Sequence, residues 1–126
     1  ALPYHVTKHA AVSVAEWIAI THHRDVTVHC VCPEHVKTNM LTSSVKELTG
    51  SDDLSALRDG VAERRDVAIA TLNAIDSGKF LVLPHQQMHQ YFRRKASDYD
   101  RWIRAVIKAN ELTEQVLAES APRSKL

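Results

Sequence analysis

Tyr4 and Lys8 stand four residues apart in "YHVTK", a spacing that places both side chains on one face of a helix. Such a pair is suited to acid/base chemistry. A free phenol, with a pKa of about 10, is a poor base at neutral pH, and a nearby ammonium favours its phenolate. A helix N-terminus acts in the same direction, and Pro3 marks one immediately ahead of the tyrosine. The same spacing recurs at Tyr91 and Lys95 in "YFRRK", so spacing alone does not single out a site. His5 and His9 flank the first pair and are candidates to line a cleft beside it.

Other residues with chemical potential read as structural. Cys30 and Cys32 lie at i and i+2 of an apolar run, so on a strand they point to one face as packed thiols. A lone C-x-C is a weak metal pattern. His85 and His89, at i and i+4, share a helix face, but no third ligand accompanies them and they read as surface polar residues. His29, inside a predicted strand, reads as a hydrogen-bonded core position.

The elements that must position these residues follow from periodicity. Residues 3–23 predict a helix free of glycine, with apolar residues on much more than one stripe: Val6, Val12, Val14, Trp17 and Ile18 among them. A helix of that kind is expected to be buried on two sides. "DVTVHCVCP", residues 25–33, predicts a strand by its β-branched alternation. Residues 34–60 form a long polar connection, expected to act as a lid. A second helix is predicted over 61–76, with Val61, Ala68, Ile69, Leu72 and Ile75 facing the core and Gly78 as its stop. "KFLVLP", residues 79–84, reads as a short strand covered on both faces. The remainder is helical in two pieces, the second started by a capping box at Ser97 and Asp100, and the "SAPRSKL" end is expected to fray.

Helix, strand, lid, helix, strand and tail helices imply an α/β protein with a parallel sheet. Two parallel strands alone leave two open edges and uncovered apolar faces, so further strands are expected from elsewhere. The fold expectation is therefore the C-terminal half of a Rossmann-like doubly wound sheet, with a partial domain over residues 1–84 and a helical tail over 85–126. That tail is expected to pack on the same domain or on a neighbouring subunit.

In combination, "YHVTK" at 4–8, "VTVHCVCP" at 26–33 and "PEHVKT" at 33–38 resemble the C-terminal half of a short-chain dehydrogenase/reductase. In that family a Y-x-x-x-K helix is followed by a strand and by a P-G-x-V-x-T loop that crosses the nicotinamide. "GKFLVLPH" and the helices after it are similar to a subgroup whose strand ends in "LP". The resemblance implies hydride transfer between NAD or NADP and an alcohol or carbonyl substrate. Tyr4 would be the acid/base. Lys8 would favour the phenolate and hold the nicotinamide ribose. Val36 and Thr38 would contact the carboxamide, with Pro33 fixing the loop, so Tyr4, Lys8, Pro33, Val36 and Thr38 form the implied cofactor set. Asn39, Met40 and Leu41 would open the substrate lid.

The chain departs from the family at Glu34, where glycine is usual. The implied phosphate-binding turn and catalytic serine and asparagine would lie upstream of the tyrosine. Gly50, Gly60 and Gly78 are too widely spaced to form such a turn. A fragment inactive by itself is the resulting expectation, completed by an N-terminal half or assembled as a homo-oligomer. The alternative is a non-enzymatic α/β module that self-assembles or complements another chain.

Totals exclude other classes. With 126 residues, 44% of them hydrophobic, and 16 basic against 15 acidic side chains, the chain has the size of one domain and no field to attract nucleic acid. "RRK" at 93–95 reads as a solvated helix face. No apolar run is long enough to span a membrane, and neither a signal peptide nor a membrane partner is expected. Cytoplasmic residence is the simplest expectation.

Overall fold

The computed structural model describes residues 2–54, 57 and 60–120, with side chains described as far as residue 115. Helix α1 (Leu2–Thr21) leads to strand β1 (Cys30–Val31), helices α2 (Asn39–Thr49) and α3 (Arg64–Asp76), and strand β2 (Leu81–Val82). Helices α4 (Gln86–Ser97) and α5 (Tyr99–Ser120) follow. The protein is mostly helical, with a two-stranded parallel sheet in which Cys30 pairs with Leu81 and Val31 with Val82. No helix among the described residues is long and apolar enough to cross a membrane.

Both strands are shorter than their sequence patterns predict. β1 takes two residues of the expected 25–33, and β2 two of 79–84. The ladder is flanked by bonds from Cys30 N to Phe80 O (2.7 Å) and from Cys32 N to Val82 O (2.9 Å). Pro33 and Pro84 supply no N–H to extend it. A separate parallel bridge joins Val36 to Ala62, with Lys37 N donating to Ala62 O and Ala62 N to His35 O.

Helix α1 ends as predicted near His23, with His22 N bonded to Ile18 O and a turn closed by Asp25 N to His22 O. It is not buried on two sides, however. Val12, Ala15, Ile18 and Ala19 are half-buried, while Val6, Val14 and Trp17 are exposed, Trp17 at 59%. Helix α1 packs extensively on no other described element. Among the described residues, nothing covers Val6, Val14 and Trp17.

Within the expected lid lies a well-formed helix, α2, that the polar composition hid. Thr38, extended at φ −129°, accepts a hydrogen bond from Leu41 N at 3.3 Å. Gly50 terminates the helix at φ 73°, with its N–H on Lys46 O. Only glycine takes that conformation without strain.

Helix α3 starts later than expected and turns a different face inward. Ala74 is buried and Val67, Ala70 and Thr71 half-buried, whereas Ala68, Ile69, Leu72 and Ile75 are exposed, Leu72 at 61%. Small residues let α3 approach β2 closely, and the larger apolar face is left uncovered. Val61 precedes the helix and is half-buried.

In the tail, α4 and α5 pack on each other and α5 meets α2. Asp98, not Ser97, caps α5, its Oδ1 accepting from Arg101 N at 2.8 Å; Ser97 Oγ donates back to Arg94 O. The "SAPRSKL" end lies outside the described residues beyond Ser120. Ala74, Val82 and His85 form the buried centre among the described residues.

Candidate functional site

Tyr4 sits in the first turns of α1, its carbonyl accepting from Thr7 Oγ1 at 2.9 Å. Lys8 Nζ lies 5.5 Å from the centre of the Tyr4 ring, over its face. The ammonium therefore meets the ring's π-cloud rather than the hydroxyl, a cation–π contact in open solvent. His5 meets the Tyr4 ring edge-to-face at 6.1 Å. His9 Nδ1 stands 3.0 Å from His5 O. The pair and its flanking histidines all lie on solvent-exposed helix.

The second group of candidates runs from the carboxyl end of β1. Pro33 is exposed, Val36 is half-buried and held by its bridge to Ala62, and Thr38 is half-buried at the start of α2. Lys37 and Glu63 add an exposed ion pair of 2.9 Å beside the bridge, of the kind that contributes little. Asn39, Met40 and Leu41 form the first turn of α2, with Met40 exposed and Leu41 half-buried. Thr38 accepts the Leu41 N–H through Oγ1, which leaves the hydroxyl hydrogen free to donate. A carboxamide oxygen is a fitting acceptor for that donor. The structure thus joins Tyr4 with Lys8, and Pro33 with Val36, Thr38 and the lid turn, while α1 and α2 do not pack extensively on each other.

Sequence reasoning missed His85. It is only 8% exposed, at the carboxyl end of β2, and is not the surface residue its pairing with His89 implied; His89 is exposed. Glu34 N donates to His85 Nδ1 at 3.3 Å, and His85 Nε2 faces His35 O at 3.2 Å. A nitrogen that accepts an N–H carries no hydrogen, and one facing a carbonyl must carry it, so the ring is the neutral Nε2–H tautomer. Its position directly after an apolar strand and a proline is the signal that could have found it. Nearby, His35 Nδ1 is buried without a hydrogen-bond partner.

The remaining candidates have structural partners. Cys30 and Cys32 are free thiols on one face, their sulfurs 3.7 Å apart. Burial, with help from the Cys30 thiol, pushes Cys32 up to about 11. His29 Nδ1 lies 2.6 Å from Lys79 O just before β1. Lys95 caps two rings, 4.3 Å from the Trp102 centre and 5.3 Å from that of Tyr99, so it serves the α4–α5 hairpin. No group of three or more His, Cys, Asp or Glu among the described residues is placed to hold a metal ion. Two clefts lie elsewhere: about 570 Å³ between α4 and α5, lined by Tyr91, Arg94, Arg101 and Trp102, and about 150 Å³ beside α3 and β2. Compared with protein-family models, curated proteins and solved structures, the chain matches none.

Proposed function

We propose that this chain carries the acid/base helix and nicotinamide-contacting loop of an NAD(P)-dependent oxidoreductase of the short-chain dehydrogenase/reductase type. The observation that carries the reading is the arrangement at the carboxyl ends of the parallel pair. β1 runs directly into Pro33–Thr38, and the segment that follows β2 meets that loop at His85. Ligand crevices of open parallel sheets lie at such ends.

In this reading Tyr4 gives a proton to a substrate carbonyl in reduction and takes one from an alcohol in oxidation, with Lys8 stabilising the phenolate. Val36 and Thr38 hold the carboxamide, and Asn39, Met40 and Leu41 form the substrate side. NAD or NADP, when bound, supplies or accepts the hydride. The phosphates need a glycine-rich turn from an N-terminal half, because none can be built around Gly50, Gly60 and Gly78. The chain alone is therefore inactive and binds the cofactor weakly.

A second reading, a non-enzymatic α/β module that self-assembles or complements another chain, is favoured by surface area. The chain exposes 10540 Å², against about 6,800 Å² for a compact monomer of this mass. One titration separates the two. With NAD+ or NADP+ at millimolar concentration, the amides of Tyr4, Lys8, Val36 and Thr38 are expected to shift together in 1H–15N spectra; shifts scattered elsewhere would leave the module reading. Joined to a glycine-rich phosphate-binding half, Tyr4→Phe should lower kcat at least about a hundredfold. Full turnover by that variant would remove Tyr4 from the chemistry.

A further inference from the structure

We infer that His85 is a positioning residue: its neutral imidazole locks the Pro33–Thr38 loop to the end of β2 and so sets where Val36 and Thr38 stand. The importance of that placement for a nicotinamide rests on the functional reading above; the lock itself does not.

The argument begins with the register. Glu34 and His85 are 51 residues apart, the same separation as the paired Cys30 and Leu81, so His85 arrives opposite Glu34 by continuation of the ladder. The backbone cannot continue it. The next rung would need an N–H from Pro84, which lies opposite Pro33 in that register and has none. Beyond Cys32 N to Val82 O, the next connection is the His85 side chain.

One ring then takes over what two backbone rungs would have done. It accepts from Glu34 N and donates to His35 O, gripping the Pro33–Glu34 and His35–Val36 peptide groups of the loop. Both bonds are at the long end of the hydrogen-bond range, but two anchors on one rigid ring fix its orientation. Burial to 8% exposure keeps water from replacing them. The held peptides lie next to Val36, whose own bridge to Ala62 restrains the other side. The loop is thus clamped from β2 and from the segment before α3, with Thr38 emerging at a set position to cap α2.

Nitrogen-detected histidine spectra of the 126-residue chain test this without any variant. His85 is expected to show an unprotonated Nδ1 and a protonated Nε2; the opposite tautomer would overturn the lock. Hydrogen exchange at the Glu34 amide gives a second readout. His85→Asn places Oδ1 near the Nδ1 position and should keep that amide's exchange within about twofold, whereas His85→Ala should speed it about fivefold. Equal exchange in wild type and the alanine variant would also overturn the lock. If His85→Ala does not fold, the wild-type tautomer and the asparagine variant decide. NAD+ titration then separates the two claims. An unresponsive Val36 and Thr38 in the wild type counts against the cofactor reading alone, and a response that survives unchanged when the Glu34 amide is released counts against positioning by His85.

Discussion

Burial holds the Cys32 thiol protonated at neutral pH, raising it from 9.0 to about 11, with the neighbouring Cys30 sulfur as a lesser cause. The thiolate is the nucleophile and metal ligand, so a thiol kept neutral belongs to packing. Alkylation of Cys32 by iodoacetamide at pH 7.5 should be slower than that of the unfolded chain, as followed by mass spectrometry; equal rates would return the C-x-C pair to the list of reactive groups. The sign of the linkage is fixed by the same shift. Between pH 9 and about 11 the folded chain retains a proton that the unfolded chain has lost, so stability falls as pH rises through that window and is unaffected by this group below it. Urea titrations at pH 8 and pH 10.5 should show the lower midpoint at the higher pH, and Cys32→Ala should reduce the difference. At the same scale His85 shows why a side chain's role can escape sequence reading. Its neighbour at i+4 invited a helix-face interpretation, while its partners, Glu34 and His35, are supplied by strand register from some fifty residues away.

At the scale of elements, helices with a dense supply of good formers were legible, and so was the existence of both strands. α1, α3 and the tail helices occur near their expected places because local composition largely decides them. What failed was decided by tertiary partners. Strand length depends on a neighbour to pair with, and among the described residues β1 and β2 each find one on a single side. The inward face of α3 is set by how close it can come to β2, which favours Ala70 and Ala74 over Ile69 and Leu72. α2 was hidden by its serines and threonines, although Thr38 and Gly50 bracket it with the expected cap chemistry. The candidate loop was legible as a motif, but its clamping was not. A pair of variants tests the capping role of Thr38. Thr38→Ala removes the acceptor for Leu41 N and should destabilise α2 by about 1 kcal/mol, seen as reduced helical ellipticity and faster exchange at the Leu41 amide. Thr38→Ser keeps both the cap and a hydroxyl donor and should restore the helix. If alanine leaves the Leu41 amide as protected as before, Thr38 does not hold α2 in place.

At the scale of the whole molecule, the uncovered surface lies on elements that already have their secondary structure. Ile69, Leu72 and Ile75 lie on one face of α3, exposed by 44, 61 and 49%, and Val6, Val14, Trp17 and Ile20 add a second apolar exposure on α1. Exposed apolar side chains grouped on a helix are where the proposed self-association or complementation would act, and an accessible area roughly half as large again as that of a compact monomer leaves room for it. A core position and an interface position respond differently to charge. In a core, a glutamate buried without a partner costs several kcal/mol; at an exposed site, substitution normally changes stability by no more than about 0.5 kcal/mol. Leu72→Glu should therefore leave the urea midpoint of dilute chain almost unchanged. The same variant should weaken self-association in sedimentation velocity, or the binding of an N-terminal complementing half, at least about tenfold, since removal of a well-buried interface anchor commonly costs 2 kcal/mol or more. A large fall in the midpoint at low concentration would place Leu72 inside the chain's own core, and unchanged association together with an unchanged midpoint would show that the α3 face is not where the missing cover binds.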